Sequence, residues 1–201
     1  MFSEEASSVL RMGLEDGIMT NILRLMERFS RYCVWLCGFL LVATSVLIAV
    51  EVILRKFFAV SMGGADEISS YVLAILCTWS LGFALFHKAH VRIDILYIKL
   101  PPKARAFLDC LSLALFLVYM TILSYFGYLV LETSIIRDST ANTPLQTPMW
   151  IPQSLWLFGL VSFTLIIVAI LAGTVYYLLK GDLATARKLG GSSSLEAEKD
   201  L

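Results

Sequence analysis

Acidic side chains beside long apolar stretches are the first candidates for chemistry in this chain. Glu51 precedes Arg55 by four residues, and Asp66 and Glu67 stand at the start of another apolar stretch. A carboxylate inside a membrane can couple transport to protons, whereas a Glu four residues before an Arg favours a salt bridge on one helical face. Because Glu51 has this partner and lies near the end of its stretch, we interpret the two residues as a structural pair.

Asp66 and Glu67 allow two interpretations. Acidic residues in the first turn of a helix offset the positive end of the helix dipole, and Gly63 and Gly64 before them supply a turn. The same carboxylates could also contact a partner outside the membrane. The sequence favours helix capping and leaves docking open.

Residue patterns that enzymes need are missing from the sequence. It has no glycine-rich phosphate loop, no cluster with metal-ligand spacing and no Ser-His-Asp set with suitable spacing. Its histidines, His87 and His90, lie at a predicted membrane edge, so a haem-binding four-helix cytochrome would lack axial ligands. We therefore expect no enzymatic activity and no cofactor, and the net charge of zero gives no indication of nucleic-acid binding.

The elements that position these residues are four apolar stretches. Hydrophobic residues make up 58% of the chain and charged residues 16%, whereas soluble domains are about half apolar and about a quarter charged. Crossing a hydrocarbon layer of about 30 Å takes about 20 helical residues. We predict an all-α membrane protein with four transmembrane helices, at about residues 32–54, 67–87, 103–131 and 152–179.

Lysine and arginine are distributed unevenly around these spans. Thirteen of the sixteen lie in the two tails and in the loop between the second and third spans. Because cytoplasmic loops retain positive charge, we predict that both termini are cytoplasmic. The membrane domain is then 32–179, residues 1–31 form the N-terminal tail, and residues 180–201 form a tail whose polar composition predicts disorder.

The N-terminal tail has the pattern of an amphipathic helix. Its apolar residues recur at helical spacing, and a second stripe is basic and includes Arg24 and Arg28. A helix of this kind lies in the interface between membrane and water. The alternative is a disordered basic tail.

The basic loop has an unusual apolar alternation. His90, Arg92 and Asp94 alternate with three β-branched apolar residues. A fully solvated loop would be less apolar, so we expect this segment to lie among lipid headgroups or against another protein.

Prolines dominate the loop before the last span. Pro144, Pro148 and Pro152 recur every four residues, and Trp150 suits the aromatic belt at a membrane surface. Because proline prevents a regular helix before Pro152, we predict a stiff, extended approach to the last span. Such a segment could pack on a neighbour or bind a ligand.

Four stretches of the sequence resemble one family of membrane proteins. They read EVILRKFF, GADEISSYVLAILCTWSLGFAL, KAHVRIDIL ahead of a proline, and TPLQTPMWIPQ leading into the last span. Through them, the region from about Arg24 to Leu179 resembles the small membrane subunit of tripartite ATP-independent periplasmic (TRAP) transporters, the DctQ family.

The resemblance implies a division of labour within a transporter of the bacterial inner membrane. Such a subunit pairs with a large multi-span permease subunit, which holds the substrate and sodium sites. A periplasmic binding protein delivers the substrate, usually an organic acid, and a sodium gradient drives import. This chain would then enlarge the scaffold against which the permease moves, with no substrate, metal or cofactor site of its own.

Charged and aromatic residues at the membrane edges are the candidates for contacts with these partners or with membrane lipids. Arg92 would meet lipid phosphates, and Asp94 would pair locally or with the permease. The full set is Arg24, Arg28, Glu51, Arg55, Asp66, Glu67, His90, Arg92, Asp94 and Trp150.

Two other functions remain open from the residues alone. A stand-alone homo-oligomeric transporter built from four-helix units would need an embedded carboxylate, for which Glu51 is the candidate. A four-span assembly factor without a transport role would need no such group.

Overall fold

Helices account for most of the residues that the structure describes. The computed structural model describes residues 17–87 and 101–181, together with residues 185 and 189. The helices in this part of the chain are α1 (Gly17–Phe58), α2 (Ala65–Trp79), α3 (Leu81–Phe86), α4 (Pro102–Ile136) and α5 (Trp150–Leu179). No β-strand occurs in the described ranges, so the predicted all-α class is confirmed.

Four stretches are long and apolar enough to cross a membrane, which confirms the predicted number of spans. Three are single helices, and the second combines α2 and α3. Their bounds are Asn21–Phe58, Ala65–Phe86, Ala104–Ile136 and Trp150–Leu179. The first and third are longer than predicted because charged residues near their ends remain within the helix.

The amphipathic segment predicted before the first span is continuous with it. α1 runs from Gly17 to Phe58 without a break. The segment contains no proline, and Gly38 is its only glycine after the first residue, so nothing in the sequence terminates the helix between tail and span. Arg24 and Arg28 are exposed on α1, whereas Glu27 between them is buried.

The second span is interrupted at Ser80. α2 ends at Trp79, and α3 begins at Leu81. The Ser80 hydroxyl donates a hydrogen bond to the Leu76 carbonyl at 2.7 Å. Serine and threonine hydroxyls that bond to carbonyls of the preceding turn compete with the backbone pattern and bend helices.

Shortly after each of the helices α1 and α4 ends, one residue adopts a left-handed backbone conformation. Ala59 follows α1 with φ of 53°, and Asp138 follows α4 with φ of 48°. The Ser139 amide then donates to the Ser134 carbonyl at 3.0 Å. Such terminal bonds satisfy carbonyls that the helix leaves open and redirect the chain.

The chain divides into two compact units. Unit 1 contains the chain up to Phe29, Gly82–Met120 and the chain from Thr164 onward. Its buried side chains include those of Leu23, Leu113 and Ile167. Burial of these apolar groups on three helical segments gives unit 1 its core.

Unit 2 comprises Ser30–Leu81 and Thr121–Phe163. Its buried apolar side chains include those of Cys37, Ile75 and Phe163. Unlike an ordinary apolar core, it also buries two carboxylates, those of Glu51 and Glu67. Both lie near the loops that connect its helices, residues 59–64 and 137–149, which we call the loop end of unit 2.

Candidate functional site: two carboxylates at the loop end

Both oxygens of the Glu51 carboxylate accept hydrogen bonds from groups of its own chain. Arg55 Nη2 lies 2.9 Å from Oε1, and the Ser61 hydroxyl donates to the same oxygen at 2.6 Å. The Met62 amide donates to Oε2 at 2.9 Å. Glu51 is only 4% exposed, so these three donors replace the water that a carboxylate would otherwise bind.

The predicted pair with Arg55 is therefore one part of a larger arrangement. The Arg55 side chain is 61% exposed, and a salt bridge with so exposed a partner contributes little. The hydroxyl and amide of residues 61 and 62 lie beyond the end of α1 and fold back onto Glu51. Glu51 thus fixes the turn that leads from α1 to α2.

Two glycines allow this turn to approach the second loop. Gly63 has φ of 70°, and its amide donates to the Ser61 hydroxyl at 3.2 Å. A Cβ on Gly64 would lie 2.3 Å from Leu145 Cδ1. A residue larger than glycine at position 64 would therefore displace Leu145 or the turn.

Glu67, in the first turn of α2, binds the second loop. Its Oε1 accepts a hydrogen bond from the Tyr71 hydroxyl at 2.8 Å, and its Oε2 accepts one from the Thr143 hydroxyl. The side chain and the backbone amide of Thr147 also hydrogen-bond to this carboxylate. Glu67 therefore holds two positions of the 137–149 loop against the start of α2.

This loop folds back on itself and is not the extended segment that its prolines predicted. Thr140 and Pro148 pair as an antiparallel bridge, and the Ala141 amide donates to the Thr147 carbonyl at 2.9 Å. The reversal occurs at Gln146, which has φ of 47°. Proline excludes a helix here, but it is compatible with a hairpin-like turn at positions whose amide is not needed.

Asp66 and Glu67 have different environments, although the same capping role was predicted for both. Glu67 is buried, whereas Asp66 is exposed. The Asp66 backbone carbonyl accepts hydrogen bonds from the hydroxyls of Ser69 and Ser70, at 2.9 and 2.8 Å. Both acids stand in the first turn of α2 as predicted, but of the two only Asp66 is exposed.

The remaining predicted residues are not part of the loop-end clusters. Arg24 and Arg28 lie in unit 1. Trp150 is the first residue of α5 and is exposed. His90, Arg92 and Asp94 lie outside the described residues, so their predicted contacts with lipid or permease stay predictions.

Sequence reasoning missed the groups that bind the two carboxylates. Ser61, Thr143 and Thr147 are ordinary loop residues in the sequence, 10 to 80 positions from the acids they contact. The one available signal was the occurrence of three threonines in the 137–149 loop, two before Pro144 and one after it. That signal does not say which carboxylate the threonines reach.

Away from the loop end, α2 and α5 contact each other directly within unit 2. The Trp79 indole donates to the Leu155 carbonyl at 2.9 Å, and its ring lies 5.6 Å from that of Phe158. A Cβ on Gly159 would lie 2.4 Å from the Thr78 hydroxyl oxygen. Because only glycine leaves room for this contact, the two helix backbones approach closely.

The loop-end clusters are suited to a structural role. Each carboxylate receives its hydrogen bonds from the same chain, and neither offers an open oxygen pair to an ion. Within the described ranges, no group of three His, Cys, Asp or Glu side chains could hold a metal ion. The arrangement joins α1, α2 and the 137–149 loop into one rigid end.

Comparison with known proteins identifies the family. Residues 44–175 match the family described as tripartite ATP-independent periplasmic transporters, DctQ component. The chain is 26% identical over 152 residues to a Haemophilus influenzae protein whose name describes a TRAP transporter small permease, an alignment that covers 74% of this chain and 90% of that protein. No solved structure matches the chain significantly.

The matched region contains both carboxylate clusters, the α2–α5 contact and most of the four spans. It covers well over half of the chain. The four apolar helices together with this match make the chain a multi-pass membrane protein and a transporter component. It belongs to the DctQ family, the small permease component of TRAP transporters.

Proposed function

We propose that this chain serves as a scaffold subunit in a sodium-coupled TRAP transporter that imports an organic acid. In this account, a large multi-span permease subunit holds the substrate and sodium sites, and a periplasmic binding protein delivers the substrate. The chain contributes no substrate site of its own. It lies in the bacterial inner membrane with both termini in the cytoplasm, so the loop end of unit 2 faces the periplasm.

The observation that carries the scaffold role is that both oxygens of Glu51 and both oxygens of Glu67 accept hydrogen bonds from donors of the same chain. A coupling carboxylate must exchange protons or ions during transport, and it therefore needs an open coordination position. Here Arg55, Ser61 and Met62 bind Glu51, and the 137–149 loop binds Glu67. These contacts favour a structural role for this chain within a larger transport complex.

The same observation argues against a stand-alone transporter. Glu51 was the carboxylate on which that alternative depended, and both its oxygens are engaged. A homo-oligomer would also have to build a polar path from helices whose exposed side chains are mostly apolar. The family to which the chain belongs supports a tripartite system in its place.

Asp66 gives the proposed periplasmic face a group for docking. Its carboxylate is exposed at the start of α2, beside the loop that Glu67 holds in place. A basic residue on the binding protein could meet it there. Docking at Asp66 depends on the loop end facing the periplasm, because the binding protein is confined to that side.

Reconstituted uptake tests the proposal. Proteoliposomes containing the permease subunit with or without this chain are loaded with sodium-free buffer, and external sodium, substrate and binding protein are then added. We expect sodium-dependent uptake only when permease, binding protein and this chain are all present. Uptake by this chain alone, or full uptake without it, would contradict the proposed role.

A further inference from the structure

Helix α4 exposes a line of polar side chains within unit 2. Tyr125 is 60% exposed and Tyr128 is 53% exposed, and the Glu132 side chain is exposed as well. Their separations of three and four residues place them within an arc of about 60° on one side of the helix. We call these three residues the polar line of α4.

The polar line points away from the packed side of α4. On that packed side, a Cβ on Gly127 would lie 3.0 Å from the Trp156 ring and 3.2 Å from Leu157. Tyr125 lies about 160° from Gly127 around the helix. Among residues 17–87 and 101–181, no hydrogen bond is found to either phenol oxygen or to the Glu132 carboxylate.

The two tyrosines lie too deep to be ordinary interfacial anchors. The span Ala104–Ile136 has 33 residues and is about 50 Å long, against about 30 Å for the hydrocarbon layer. Placing the midpoint of this span, near residue 120, at the bilayer centre puts Glu132 about 18 Å from that centre, at the membrane surface, and puts Tyr125 and Tyr128 about 8 and 12 Å from it. Both positions are within the hydrocarbon half-thickness of about 15 Å.

The direction of the side chains increases this depth. Side chains on a helix lean toward its N-terminus, and large aromatic groups follow this direction through their preferred rotamers. Both tyrosines lie in the C-terminal half of the span, so their phenol groups lean toward the bilayer centre. Hydroxyl groups at that depth are unfavourable against lipid tails unless they are hydrogen-bonded.

One side of helix α1 has the apolar composition that suits contact with lipid. In unit 2, the side of α1 opposite the Glu51 side chain carries Phe39, Val42, Val46 and Ile53, all exposed and all apolar. This side needs no partner other than lipid. The polar line of α4, by contrast, carries a hydroxyl or carboxylate group on every residue.

We propose that the polar line of α4 is a contact surface for a transmembrane helix of the large permease subunit. The partner helix would present hydrogen-bond donors or acceptors, such as Ser, Thr, Asn or Gln side chains, to the two phenols. Near Glu132 it would present a donor or a basic side chain. This inference rests on the proposed function, because it requires a membrane-embedded protein partner.

Photo-crosslinking in the assembled transporter tests the surface. The photoreactive residue p-benzoylphenylalanine replaces Tyr125 or Tyr128, and, as controls, Val42 or Ile53 on the apolar side of α1. The complete transporter is irradiated in native membranes, and the crosslinked products are identified by mass spectrometry. We expect adducts with the permease from positions 125 and 128 and only lipid adducts from positions 42 and 53.

A triple variant, Y125F/Y128F/E132Q, gives a second measurement that preserves side-chain volume. Each interhelical hydrogen bond lost in a membrane weakens association about threefold, and the two Tyr→Phe changes each remove one, so we expect affinity for the permease to fall about 7- to 10-fold. The matched control, F39L/V42I/I53V, should bind the permease like the unmodified chain. The helix content of both variants should be unchanged by circular dichroism.

The outcomes separate this inference from the proposed function. If the unmodified chain binds the permease, but positions 125 and 128 crosslink only to lipid and the triple variant binds normally, the polar line is not the interface and the proposed function stands. If the unmodified chain binds no permease under any condition, the proposed function fails, and this inference fails with it.

Discussion

The Glu67 carboxylate accepts a hydrogen bond from the Thr143 hydroxyl across 76 residues of sequence. This contact joins the first turn of α2 to the loop between α4 and α5. Backbone hydrogen bonds such as that from the Ala141 amide to the Thr147 carbonyl shape the loop internally, and the carboxylate anchors it to α2.

Replacing Glu67 with alanine should release the 137–149 loop. The variant removes the carboxylate to which Tyr71, Thr143 and Thr147 hydrogen-bond, and because these side chains are half-buried, the loss of their hydrogen bonds destabilises the loop end. We expect faster proteolytic cleavage in the loop and a fall in Tm on the order of 5 °C in detergent. The control is Asp66→Ala, at the neighbouring exposed position. Equal effects of the two variants would show that Glu67 does not hold the loop.

Replacing Glu51 should destabilise the protein far more than replacing Arg55. Glu51→Ala leaves the Ser61 hydroxyl and the Met62 amide without their acceptor, whereas Arg55→Ala removes only an exposed partner. We expect the fall in Tm for Glu51→Ala to be several times that for Arg55→Ala, by thermal unfolding in detergent.

Glu51→Gln separates this structural role from proton coupling. The amide keeps one acceptor oxygen but cannot cycle between charge states. We expect sodium-driven uptake to scale with the amount of assembled complex. A fully assembled complex with abolished uptake would instead identify Glu51 as a coupling residue and contradict its purely structural role.

Gly159 should tolerate no larger residue. A Cβ there would lie 2.4 Å from Thr78 Oγ1 and 2.5 Å from Trp79 Cδ1, and overpacking of this kind destabilises by about 1–3 kcal/mol. We therefore expect Gly159→Ala to lower thermal stability. The matched control is Gly38→Ala, because a Cβ on Gly38 would meet nothing within 4 Å. It should be neutral or stabilising through helix propensity, by up to about 1 kcal/mol. Similar unfolding temperatures for both variants would contradict a close α2–α5 contact.

Trp79→Phe should weaken the α2–α5 contact less than Gly159→Ala does. The change removes the indole hydrogen bond to the Leu155 carbonyl and keeps an aromatic ring beside Phe158. A hydrogen bond of this kind contributes about 1 kcal/mol. Trp35→Phe, at a position that is 75% exposed, provides the control and should change stability little. The comparison is made by thermal unfolding of the two purified variants.

The spans could be predicted from the sequence because hydrocarbon imposes a strong and local requirement. A mostly apolar stretch of about 20 residues without charged side chains is visible without knowledge of its neighbours. The bounds were less predictable, since α1 continues from Gly17 through the predicted surface segment. Charge marks the membrane edge in a sequence, but a helix ends only where the backbone changes conformation, as at Ala59.

Only part of the two carboxylate clusters could be predicted from the sequence. The Glu51–Arg55 pair follows from helical spacing, and it is present at 2.9 Å. The contacts of Glu67 with Thr143 and Thr147 depend on how two distant loops meet, which no local pattern encodes. The proline spacing of the second loop correctly excluded a helix but could not show the reversal at Gln146.

Co-purification tests the central claim most directly. The chain carries a C-terminal affinity tag, is expressed together with the products of its neighbouring genes, and is purified in mild detergent. We predict recovery of one large multi-span permease in a fixed ratio to this chain, with the same ratio in the Arg55→Ala variant. Recovery of this chain alone, as a discrete oligomer, would contradict the claim that it is a subunit built to support a permease.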